Sequence, residues 1–148
     1  MAVPHLKCSM ELGRTKYDMT EYLLISGHDL QVCHYDDTSI VDQNGILQVR
    51  LTSRAGVTRI CQFEYYFAFR KLDEGDAFSI LRDVEASCGL GIGLYAVKNS
   101  EFLAWFSMES SGKYADRQIL HYCMLTENSV IDVLSAAPPK WEFPGNST

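Results

Sequence analysis

From Leu47 to Thr52 apolar and polar residues alternate without a break: Leu47, Val49 and Leu51 against Gln48, Arg50 and Thr52. A period of two puts one set on the buried face of a strand and the other toward solvent. Asn44-Gly45 lies just before this run. That dipeptide favours the positive φ angles of a type I′ turn, so a hairpin is predicted between "QVCHYDDTSIVDQ" and "ILQVRLTSR". Ala55-Gly56 then turns the chain into a third strand predicted over 57–70. Its segment "ICQFEYYFAFRK" packs five aromatics into the seven positions 63–69. Val57, Cys61, Phe63, Tyr65, Phe67 and Phe69 share one parity and are expected to build the core. Ile60, Tyr66 and Ala68 give the opposite face an apolar component and are candidates for gripping a partner.

Helical spacing predicts three further elements. "DMTEYLLISG" opens at Asp18 with a D-x-x-E capping pattern and closes on Gly27, the signature of a short helix. From Asp76 to Cys88, Ala77, Ile80, Leu81, Val84 and Cys88 form one apolar stripe, with Asp76 as N-cap and Gly89 as stop. "YADRQILHYCMLTENSVIDVLSA" reads as a long terminal helix. Ile119, Cys123, Thr126, Val130 and Val133 line one side of it, widened by Leu120, Met124, Ile131 and Leu134. Between these helices, "GIGLYAVKN" and "SEFLAWFSMES" are predicted to pair as a hairpin around Lys98-Asn99-Ser100.

The predicted order is α-β-β-β-α-β-β-α, a single α+β domain over 18–136 with helices packed on an antiparallel sheet. Residues 1–17 form an N-terminal extension. Residues 137–148 form a tail that holds three of the four prolines. Trp141 and Phe143 in that tail have two readings, packing back on the body or docking to another protein.

Composition narrows the function classes. A chain of 148 residues suits one domain that buries roughly two thirds of its unfolded surface. With 47% apolar and 22% charged residues it is globular rather than disordered. Its net charge of −6 opposes nucleic acid, which needs a basic footprint to displace counterions. No stretch approaches the roughly 18–20 apolar residues of a membrane span, and the N-terminus shows no secretory h-region. The five cysteines (Cys8, Cys33, Cys61, Cys88, Cys123) are odd in number and widely spaced, which fits neither a disulfide framework nor a paired C-x-x-C zinc site. A reduced, cytoplasmic protein without membrane association is the expectation. The closing Asn-Ser-Thr matches a glycosylation acceptor by letter only.

None of the candidate chemistry rises to a motif. "GLGIG" at 89–93 follows a helix and enters a strand, the reverse of a phosphate-cradling loop. His28, Cys33 and His34 lie close in sequence, but neighbours on a strand point to opposite faces. Asp36-Asp37 before Thr38 reads as turn chemistry. On a helix His121 and Cys123 would stand roughly 200° apart. A cysteine–histidine pair would have to form across elements, as between Cys88 and His121. Glu101 and Glu109 fall at opposite ends of a predicted strand, too far apart for acid–base work. No catalytic residue, metal site or cofactor is expected.

The element order, size and acidity resemble the type III secretion chaperone fold and, more closely, the YbjN family of bacterial regulators. The resemblance covers residues 45–136. "GVTRICQFEYYFAF" is similar to that family's basic-then-apolar strand, "FSILRDVEAS" to its middle helix, and "GIGLYAVKNSEFLAWFSMES" to its hairpin with a polar turn. The resemblance implies a non-enzymatic, dimeric, protein-binding module that holds or masks a partner. It places the dimer seam on Phe78, Leu81, Arg82 and Glu85, with Tyr95 and Val97 behind them. A second expectation is an immunity or antitoxin protein, a small acidic inhibitor steered onto a basic toxin.

Overall fold

The computed structural model describes residues 19–25, 34–89 and 91–144. The extension 1–17, the pair His28 and Cys33, Leu90 within the glycine-rich stretch, and the closing Asn-Ser-Thr lie outside the described residues.

Two antiparallel sheets pack face to face. The larger has five strands: β1 (Glu21–Leu24), β6 (Gly93–Lys98), β7 (Leu120–Leu125), β8 (Ser129–Ser135) and β5 (Tyr66–Asp73), in that spatial order. The smaller runs β2 (Asp36–Gln43), β3 (Ile46–Thr52), β4 (Thr58–Phe63) and β9 (Lys140–Glu142). Leu47, Val49, Leu51, Cys61 and Phe63 of the smaller sheet meet Leu94, Tyr122, Met124, Ile131 and Val133 of the larger one. The predicted β2–β3 hairpin is present, with Asn44 and Gly45 both at positive φ. Helix α1 (Phe78–Cys88) covers the far face of the larger sheet, setting Ala77 and Val84 against Tyr22, Tyr95, Cys123, Leu125 and Val130. Helix α2 (Glu101–Glu109) follows β6 directly. The described residues thus form a single α+β domain with two sheets and two helices.

Three predicted elements are different in the structure. The long terminal helix is the β7–β8 hairpin, closed at Glu127-Asn128 by the Thr126 amide donating to Ser129 O at 3.0 Å. The larger sheet is covered on both faces, so all seven residues of β8 are buried. A strand buried on both faces is apolar without alternation, and periodicity then cannot tell it from a buried helix. The segment "SEFLAWFSMES" is helical, not a strand, because Ser100 caps it and accepts the Leu103 amide at 2.9 Å. The predicted first helix is strand β1, paired antiparallel with β6. Its outward Tyr22 amide donates to Ser87 Oγ of α1 at 3.2 Å, so the helix covers that sheet edge.

The aromatic stretch is two strands rather than one. At Glu64-Tyr65 the chain leaves the smaller sheet for the larger, and Ala136 N donates to Tyr65 O at 2.7 Å across the break. Cys61 and Phe63 are buried, but the expected core parity fails on both sides of them: Val57, Tyr65 and Phe69 are exposed and Phe67 is half-buried.

One tie joins the β2 and β5 edges: Lys71 Nζ lies 2.6 Å from Asp37 Oδ2. Asp36 and Asp37 lie on a strand, not in a turn, although Asp36 accepts from Thr126 and Asn128 of the β7–β8 connection. The tail packs back on the body. Trp141 pairs with Cys61 across β9 and β4 and packs against the inter-sheet core, while Arg59 sits 4.5 Å over the Phe143 ring.

Candidate functional site

Aspartate is rare inside a fully buried strand, and β8 carries one. Asp132 has no exposure, so its charge requires partners at close range. Strand register supplies them. Arg70 of β5 stands directly across from Asp132, and Cys123 of β7 does so on the other side. His121, two residues before Cys123 on the same strand, shares that face. Arg70 Nε lies 2.8 Å from Asp132 Oδ2, and His121 Nε2 lies 2.7 Å from Oδ1. The other ring nitrogen, His121 Nδ1, is 2.6 Å from Ser100 Oγ at the start of α2. Four elements therefore converge on one chain of contacts, Arg70–Asp132–His121–Ser100.

The chain is shielded from solvent on its inner side and open at its ends. His121 is 5% exposed, whereas Ser100 and Arg70 are half-buried. Phe102 of α2 closes the top. Its ring meets His121 edge-on at 5.6 Å, lies 4.3 Å under the Arg70 guanidinium, and stacks on Trp105 at 5.8 Å. Burial alone would raise the Asp132 carboxyl. Hydrogen bonds from His121 and Arg70, with the Arg70 charge, outweigh it and hold the group below the usual carboxylate range. The Cys123 thiol beneath is pushed well up, first by burial and then by the Asp132 charge, so it stays an unreactive thiol.

A second feature adjoins the first. Phe67, Phe106 and Tyr114 form a ring cluster with centroids 5.0 to 6.0 Å apart beside α2. Outward from it stand Trp105, 53% exposed, and Met108, 80% exposed. Of the nine residues in α2 only Phe102 is buried.

The residues singled out from the sequence do not form one site. Phe78, Arg82 and Glu85 lie exposed on α1, and Leu81 is half-buried at its inner edge. Tyr95 is fully buried and Val97 half-buried beneath the helix, so Tyr95 supports α1 rather than facing a partner. Ile60 is also a correction. It is buried and offers no surface, which separates it from half-buried Tyr66 and Ala68 in the other sheet. Cys88 is exposed at the end of α1, where its thiol donates to Val84 O, and it makes no pair with His121. Glu101 and Glu109 bound a helix instead of a strand.

Ser100, Arg70 and Asp132 have no motif spacing, being scattered over three elements. The readable signal is Asp132 itself, a charge inside the apolar run "SVIDVLS". No helix among the described residues is long and apolar enough to cross a membrane. No family model matches this chain, and no match is found among the curated proteins or the solved structures searched.

Proposed function

We propose that this chain is a cytoplasmic protein-binding module that holds or masks a partner, as its resemblance to the YbjN and secretion-chaperone families implies. The observation that carries this reading is the outer face of α2, where Trp105 and Met108 stand in solvent beside a half-buried ring cluster. Contiguous exposed apolar surface of this kind marks interaction sites in soluble proteins. Glu101 and Glu109 place negative charge at the two ends of the helix, about 12 Å apart at 1.5 Å per residue, and the net charge is −6. The matching occupant is an apolar segment of another protein with a basic residue at each end.

The same reading places a homodimer seam on α1. Phe78 is 77% exposed, and Arg82 and Glu85 follow it at i+4 and i+7 on one helix face. Two antiparallel copies of this helix would set Arg82 of one against Glu85 of the other. Light scattering on the 16.7 kDa chain tests the seam. A dimer that Phe78→Glu splits into folded monomers supports it. A monomer at high concentration removes the seam and favours the immunity-type inhibitor.

A further inference from the structure

The contacts under α2 have a direction. The Leu103 amide donates to Ser100 Oγ at 2.9 Å, so that oxygen acts as acceptor on its helix side. Its own proton is left to point at His121 Nδ1, 2.6 Å away. His121 Nε2 faces the Asp132 carboxylate at 2.7 Å and must then carry the ring hydrogen. The order is hydroxyl, imidazole base, carboxylate that fixes the tautomer, with Arg70 holding the carboxylate in place at 2.8 Å.

Local backbone agrees with this order. Asn99 has φ +53°, which bends the chain sharply from β6 into α2 and presents Ser100 at the bend. Ser100 sits at the positive end of the α2 dipole, which favours negative charge developing beside it. Trp105, stacked on Phe102, supplies an apolar wall one turn along.

We propose that Ser100 is a nucleophile toward small, unhindered carboxylic esters, with His121 as its general base and Asp132 as the residue that orients the imidazole. Ser100 Oγ adds to the ester carbonyl while its proton passes to His121 Nδ1. The bond to the alcohol breaks, and the imidazolium returns that proton to the departing oxygen. Water then adds to the acyl-serine as His121 takes its proton. The acid is released, and the proton goes back to Ser100 Oγ.

Full-length native chain incubated with a fluorophosphonate probe, followed by peptide mass mapping, tests this assignment. The expected result is one adduct, on Ser100, absent after guanidinium denaturation and absent in Ser100→Ala. His121→Gln with a native circular dichroism spectrum should label about a hundredfold more slowly or less. If that variant does not fold, the native and denatured wild-type chains still decide. No adduct on native Ser100 after prolonged incubation overturns the proposal, as does equal labelling of the unfolded chain.

Discussion

Helices α1 and α2 differ in how they use apolar residues. In α1 most of them fall on one stripe, and the structure buries its inner part, Val84 fully and Ile80 and Leu81 in part, against the larger sheet, while Phe78 off the stripe and Cys88 at its end are exposed. In α2, "EFLAWFSME" is apolar nearly all round, yet only Phe102 is buried. A stripe specifies a docking face, whereas an apolar surface on every side exceeds what one sheet can cover. α1 is therefore held by area. α2 is held at discrete points, namely the Ser100 cap, the Phe102 ring and the aromatic cluster at its far end, and its other side is left uncovered.

The largest expected effect breaks the point contacts. Phe102→Ala or Asp132→Ala should each cost about 3–5 kcal/mol in urea denaturation. The first leaves a cavity over His121, and the second leaves Arg70 and His121 without their carboxylate. In Phe102→Ala, native-state hydrogen exchange should quicken in α2 well before α1, since the stripe of α1 is untouched. Val84→Ala should cost about 2 kcal/mol and loosen α1 instead.

A smaller effect is read by acid. Burial alone would raise the Asp37 carboxyl, but hydrogen bonds from Lys71, Ser129 and Thr126 and the Lys71 charge hold it below its ordinary value of 3.8. A carboxylate depressed in the folded state contributes stability that is complete above its unfolded pKa and is lost as pH falls through its folded one. Asp132 acts in the same direction. Stability should fall below about pH 4, and Asp37→Asn should flatten that acid limb. The smallest effect sharpens the comparison. Met108→Glu should change stability by no more than about 0.5 kcal/mol, because its side chain stands in solvent, whereas Trp105→Glu should cost about 1 kcal/mol through its stack on Phe102.

What the sequence made legible follows the same division. Where one face meets water, the pattern was readable: β3 by its alternation, α1 by its stripe, and the β2–β3 turn by Asn44-Gly45. Where both faces are covered, as in β7 and β8, alternation vanished and a hairpin resembled a helix. That error also hid the polar chain, since His121 and Cys123 lie on opposite sides of a helix but on one face of a strand. Arg70 and Asp132 were beyond reach for a second reason. Their meeting depends on β5 joining β8 after the chain changes sheets at Glu64-Tyr65, which no local pattern encodes.

The most direct test is a binding titration by fluorescence anisotropy, using a short apolar peptide with a lysine near each end and its counterpart with glutamates. Saturable binding of the lysine peptide to the wild-type chain is expected, with loss in Trp105→Glu and weak or no binding of the glutamate peptide. Equal binding of both peptides, or full binding by folded Trp105→Glu, would contradict the assignment of this face.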